Sequence, residues 1–143
     1  MRTALEIATE VARRVLATDQ AAQQLGITLE SAEPGHARLA MVVRDDMTQG
    51  HGTCHGGATF TLADTAFAVA CNSHDEKAVA QHCSISYLAP AQVGNRLLAH
   101  AVERSRRGRS GLYDVTICRD DGTIIAEFRG HSRTVNGRWL TTD

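Results

Sequence analysis

The sequence predicts an α+β fold in which an antiparallel sheet wraps a single buried helix, with an amphipathic helix ahead of it. Three observations carry this prediction. From Gly57 to Asn72 the residues Phe60, Leu62, Ala63, Ala66, Phe67, Val69 and Ala70 occupy every face of a helix, and a helix apolar almost all round is normally buried on all sides. The chain beyond it reads as strands joined by short turns. The opening residues Ala4, Ile7, Ala8, Val11, Val15 and Leu16 recur at spacings of three and four, the period of an amphipathic helix.

In order, that first helix is predicted over Ala4 to Leu25, with Gly26 as its stop. Ile27 to Glu33 and Ala37 to Arg44 flank the turn dipeptide Pro34-Gly35 and form a hairpin. A polar, glycine-rich loop from Asp45 to Cys54 leads into the buried helix. Val79, Cys83, Ile85 and Tyr87 then share one parity of a strand, followed by strands over Asn95 to Ser105, Leu112 to Arg119 and Thr123 to Val135. Their connections hold Pro90 with Gly94, Gly108, and Asp121-Gly122. One small sheet curled round one helix leaves an apolar back and an open edge, so self-association is expected.

Composition narrows the partners. At 143 residues the chain suits one domain, residues 1–143. Hydrophobic residues at 43% and charged residues at 22% match an ordinary globule better than a disordered or membrane chain. A net charge of -1 gives no global attraction to nucleic acid or anionic lipid, and 4% aromatics are too few for a base-stacking platform. The start lacks the apolar core of a secretory signal, and no apolar run reaches the roughly 18 residues of a spanning helix. Cys54, Cys71, Cys83 and Cys118 form no C-x-x-C pair, so a reducing cytoplasm is expected, with no nucleic-acid or membrane partner.

Within the apolar helix stands Asp64, the only carboxylate between Met47 and His74. Burying a lone carboxylate costs several kcal/mol unless something interacts with it. It is either half of a structural bond, to Thr61, Thr65 or a distant arginine, or a functional group whose partners are water and a substrate. His55-Gly56-Gly57 stands just before the helix, where free N–H groups and the positive end of the dipole favour developing negative charge; paired glycines also serve simply as a tight turn. His51, Cys54 and His55 could ligate zinc, but no fourth ligand lies at a recognisable spacing, so no metal is expected. Cys54 with His55 makes a poor nucleophile and base pair because adjacent side chains point apart. Arg104, Arg106, Arg107 and Arg109 cluster round Gly108, with Arg129 on a neighbouring strand; they are either solvated turn surface or a phosphate patch.

Cys54-His55-Gly56-Gly57, Phe60, Leu62-Ala63-Asp64 and Ala66-Phe67-Ala68 together resemble the signature of the PaaI-type hotdog thioesterases. Ala70-Cys71-Asn72-Ser73, Gly111-Leu112-Tyr113-Asp114 and Phe128-Arg129-Gly130 extend the similarity from about Gly26 to Val135. The resemblance implies a hotdog subunit that dimerises through a continuous sheet and pairs again into a homotetramer, with active sites at the dimer interface. It implies hydrolysis of an aryl-acyl-CoA, phenylacetyl-CoA or a hydroxylated derivative, in aerobic phenylacetate degradation. Carried over by position, Gly57 polarises the thioester carbonyl, Asp64 of the other subunit acts as base or nucleophile, and His55 shapes the site. Gln49 stands where many relatives have asparagine, and Ala80 where some have a water-orienting serine. Arg106, Arg107, Arg109 and Arg129 are then candidates for the CoA phosphates, and no cofactor is implied beyond the CoA of the substrate. The alternatives are a hotdog hydratase or dehydratase on acyl-CoA, which needs a catalytic histidine with a carboxylate, and a non-catalytic acyl-CoA-binding protein.

Overall fold

The computed structural model describes residues 1–140 of the chain. Helix α1 spans Ala4–Thr18 and starts on a reciprocal cap, in which the Thr3 hydroxyl accepts from the Glu6 N–H at 3.1 Å and the Glu6 carboxylate from the Thr3 N–H at 3.4 Å. The single helix read from Ala4 to Leu25 is corrected here: the chain breaks at Asp19, and α2 is a separate short helix over Gln20–Gln24. Two side chains account for the break. The Thr18 hydroxyl bonds back to the carbonyls of Arg14 and Val15, both at 3.1 Å. Asp19 adopts extended backbone, and its carboxylate caps the Ala22 N–H at 3.0 Å. An aspartate serves the free N–H groups of a new helix start better than the interior of an old one.

Strands β1 (Thr28–Glu33) and β2 (His36–Val42) form the expected hairpin. A 3-10 turn at Asp45–Met47 and a loop lead to α3 over Gly56–Asn72. Strands β3 (Ala78–Tyr87), β4 (Arg96–Arg107), β5 (Ser110–Arg119) and β6 (Ile124–Thr134) complete a six-stranded sheet of order β1-β2-β4-β5-β6-β3, antiparallel throughout. Alternate side chains of the sheet, among them Leu39, Met41, Leu97, Ala99, Tyr113, Val115, Ile117 and Phe128, are buried in one core with Leu62, Ala63, Ala66, Phe67, Val69 and Ala70 of α3. This is the arrangement that the hotdog resemblance implies.

Polar groups lock the far end of α3. The Asn72 amide oxygen accepts from the Ala78 N–H at 2.9 Å and the Trp139 indole at 2.8 Å, while its nitrogen donates to the carbonyls of Ala68 and Ala78. The Asp75 carboxylate accepts the N–H groups of Trp139 and Leu140. Two of the sequence motifs carry glycine for lack of room. A Cβ at Gly130 would lie 2.8 Å from the Phe67 ring, and one at Gly111 would lie 2.5 Å from the Ser132 hydroxyl.

Strand β3 forms one edge of the sheet. Its shared parity holds from Cys83 through Ile85 to Tyr87 and breaks only at Val79, because the register with β6 shifts between Ala80 and His82. Cys83 and Ile85 pack on the core, whereas Val79 and Tyr87 stay 52% and 54% exposed. No helix among the described residues is long and apolar enough to cross a membrane.

Phe67 is almost fully buried, and a methyl added at Gly130 would press on its ring. Gly130→Ala is therefore expected to overpack the core and destabilise the fold by about 1–3 kcal/mol, seen as a lowered urea midpoint at unchanged m-value. An unaltered midpoint would show that the Phe67 ring can yield.

Candidate active site

Most of α3 is sealed, but alongside Gly56 and Phe60 the residues Gly57, Thr61, Asp64 and Ala68 remain at least partly accessible. Spacings of four, three and four put them on one stripe of the helix, the side that sheet and α1 leave uncovered. Asp64 sits half-buried in that stripe. The two neighbouring threonines are committed elsewhere: the Thr61 hydroxyl donates to the Gly57 carbonyl at 2.9 Å and the Thr65 hydroxyl to the Thr61 carbonyl at 2.6 Å. No hydrogen bond or ion pair reaches the Asp64 carboxylate among the described residues, so the structural-bond reading of this residue is set aside. Burial, and after it the negative charge of Asp19, raises its carboxyl above the ordinary range. Both effects disfavour the charged form and so increase its basicity.

The start of α3 is built by two side chains pressed on two glycines. His55 is the N-cap, and its Nδ1 accepts the Gly57 N–H at 2.8 Å. The Tyr87 hydroxyl donates to the Gly56 carbonyl at 2.9 Å. A Cβ at Gly56 would lie 2.9 Å from Tyr87 Cζ, and one at Gly57 would lie 3.0 Å from His55 Nδ1. Close approach, rather than a turn conformation, is what these positions require. In front of them opens a cavity of about 390 Å³ whose walls include Gln49, Thr53, Cys54, Tyr87, Pro90 and Ile125.

Gln49 faces that cavity but spends its amide on its own loop. Its Nε2 donates to Thr53 Oγ1 at 2.6 Å, and its Oε1 accepts the His51 N–H. Within the chain, then, the Gln49 amide holds its own loop. Cys54 contacts the His55 carbonyl and Thr59 Oγ1, each at 3.6 Å, and burial pushes its thiol up. That is the opposite of an activated nucleophile. No cluster of three or more metal-ligating side chains forms among the described residues.

The arginines divide. Asp114 is held by Arg129 through contacts of 2.7 and 2.9 Å and by Arg104 at 2.8 Å. The Arg129 guanidinium, then that of Arg104, hold its carboxyl down at about 2 against the opposing effect of burial. Arg106 pairs with Glu76 at 3.3 Å. Arg107 and Arg109, exposed on either side of Gly108, have no carboxylate partner among the described residues. Of the four candidate phosphate ligands, Arg106 and Arg129 are thus engaged within the chain and Arg107 and Arg109 are not. Tyr87, Asp19 and Asp114 escaped the sequence reading as parts of the site and its surroundings; Tyr87 figured there only as the last residue of the β3 parity, and Asp114 only within the motif Gly111-Leu112-Tyr113-Asp114.

The geometry defines a hotdog subunit with a half-buried, unpartnered carboxylate and a glycine-built helix start, and residues 51–126 match the thioesterase superfamily. The chain belongs to that family, and within it is an acyl-CoA thioesterase of the PaaI type. It is 43% identical over 119 residues to the acyl-coenzyme A thioesterase PaaI of Escherichia coli K12, covering 83% of this chain and 85% of the relative. The solved structure of the E. coli PaaI protein from the phenylacetic acid degradation operon superposes with a TM-score of 0.93 at 39% identity, over 95% of this chain and 99% of that one. A Streptococcus mutans protein solved bound to acetyl-CoA matches with a TM-score of 0.76 at 26% identity, over 78% of this chain and 90% of that one.

Asp114 offers a clean test of the arginine geometry. Its folded value of about 2 lies below the ordinary unfolded value of about 3.9. The pair therefore contributes stability at and above about pH 4, and loses it as pH falls toward 2. Asp114→Asn is expected to flatten the dependence of the urea midpoint on pH in that window, relative to the native chain. Parallel curves for the two proteins would contradict the assignment.

Proposed function

We propose that two copies of the chain build each active site, with Gly57 of one polarising the thioester carbonyl and Asp64 of the other activating water or attacking the carbonyl carbon. The observation that carries this is the unpartnered Asp64 on the one uncovered stripe of α3. Gly57 and Asp64 of a single chain lie seven residues apart, about 10 Å along the helix axis, too far for both to serve one carbonyl. The free edge of β3 supports the remedy. A second copy paired there would continue the sheet and set two open stripes against each other, burying an edge that would otherwise invite aggregation. The homodimer is then the catalytic unit, and a homotetramer follows from pairing of dimers.

In this reading the substrate carbonyl takes the place of His55 Nδ1 at the Gly57 N–H. Negative charge then develops at the positive end of α3, where an oxyanion donor typically contributes about 3–4 kcal/mol. His55 shapes that position and holds the donor until the carbonyl arrives. Burial makes Asp64 a stronger base than a carboxylate in water, and a thiolate with a pKa near about 8.5 leaves without protonation by a general acid. The chemistry asks for no metal or added cofactor.

The acyl group is an aryl-acetyl one, phenylacetyl or a hydroxylated derivative, and the reaction frees CoA in aerobic phenylacetate degradation. Support comes from the 43% identity to E. coli PaaI and from the cavity walled by Tyr87, Leu88, Pro90 and Ile125. Gln49 contributes a wall. Arg107 and Arg109 meet the CoA phosphates, with Arg106 and Arg129 adding to the local field.

Asp64→Asn and Asp64→Ala are expected to slow thioester hydrolysis by about 10²–10⁴-fold with circular dichroism and assembly unchanged; full turnover by a folded variant would refute the role. Because the carboxylate must be ionised and its pKa is raised, kcat/KM of the native enzyme should fall on the acid side with a midpoint above that of an ordinary aspartate. The double variant Arg107→Ala/Arg109→Ala should raise KM in a salt-sensitive way at constant kcat, and an unchanged KM would return both residues to solvated surface. Thiol release across a panel of aryl and aliphatic acyl-CoAs tests the acyl preference.

A further inference from the structure

We propose that Tyr87 is a positioning residue for this thioesterase, fixing from its carbonyl end the peptide whose N–H polarises the substrate. The inference rests on the reading of Gly57 as oxyanion donor. The Gly56 carbonyl and the Gly57 N–H belong to the same peptide unit, which is planar and moves as one body. The structure holds that unit at both ends: the Tyr87 hydroxyl donates to the Gly56 oxygen at 2.9 Å, and His55 Nδ1 accepts the Gly57 N–H at 2.8 Å.

The two holders have different fates. The imidazole occupies the place that the substrate carbonyl must take, so it gives way during turnover. The phenol lies at the opposite end of the peptide and stays. A peptide anchored through its oxygen keeps its N–H aimed as the imidazole departs, which is the preorganisation that oxyanion stabilisation depends on. A hydrogen bond to that oxygen also polarises the amide and strengthens its N–H as a donor.

Tyr87 is itself well supported. It is the last residue of β3 and pairs with Ala126 of β6. The next two residues keep the chain on the sheet, the N–H groups of Leu88 and Ala89 both donating to the Ile125 carbonyl. Its ring is pressed so close to Gly56 that a Cβ there would stand 2.9 Å from Cζ. Burial pushes the phenol above its usual range, so it remains a protonated donor at neutral pH. The ring also walls the cavity in front of the helix. Removing the hydroxyl alone therefore separates positioning from substrate packing.

The test is Tyr87→Phe, measured beside a chain in which the Gly57 amide is replaced by an ester through incorporation of glycolic acid, which deletes the N–H. With intact assembly, Tyr87→Phe is expected to lower kcat about tenfold, with KM within about twofold and the pH profile in place. The ester chain should lose more, and adding Tyr87→Phe to it should cost little further. Native kcat in Tyr87→Phe beside a crippled ester chain would overturn the role of Tyr87 and leave the oxyanion reading standing. Native kcat in the ester chain would overturn the oxyanion reading and, with it, this inference. A Tyr87→Phe loss confined to KM would assign the residue to substrate packing and also overturn it.

Discussion

Helix α3 is apolar on nearly every face, and its need to leave water organises the chain around it. The six strands, α1 and α2 supply the cover, with the fit set by contacts as close as that of Gly130 on the Phe67 ring. Asn72 and Asp75 then tie the end of the helix to β3 and to the segment at Trp139 and Leu140. With the sheet curled and the helix end fixed, one stripe stays open, running from Gly57 past Thr61 and Asp64 to Ala68.

That stripe joins two electrostatic features of opposite sign. Its beginning is a helix N-terminus with a polarised N–H, and its middle is a carboxylate raised in pKa by burial and by Asp19. Within one chain the two are held apart by the rigidity of the helix. In the proposed dimer, a two-fold partner approaching along the free β3 edge would turn the separation into an advantage, each helix start meeting the other chain's carboxylate. Residues around the helix start hold its first peptide: His55 takes the Gly57 N–H, Tyr87 the Gly56 carbonyl, and Gln49 closes the loop in front.

Features with a local cause were legible in the sequence. The buried helix followed from its all-round apolarity, the hairpin from Pro34-Gly35, and the later strands from Gly108 and Asp121-Gly122. Asp64 was conspicuous as a charge in an apolar setting. What escaped depends on partners distant in the chain or on competition between similar local choices. The break at Asp19 is a contest between continuing a helix and capping a new one. The pairing of Arg104 and Arg129 with Asp114 requires three strands in register, so a run of arginines looked uniformly free when only Arg107 and Arg109 were. Tyr87 meets Gly56 across 31 residues, and nothing in either residue alone announces the contact.

The central claim is that each site draws Gly57 and Asp64 from different copies, and subunit complementation tests it most directly. Chains carrying Asp64→Asn and chains in which the Gly57 amide is replaced by an ester through glycolic acid, which removes the N–H without adding a Cβ beside His55, should each be inactive alone. Unfolded together in equal amounts and refolded, they form mixed dimers in which one site keeps both native residues. The expected result is recovery to about one quarter of native activity, the yield of random pairing with one intact site per mixed dimer. A refolded, properly assembled mixture that stays as inactive as its parents would contradict the shared site.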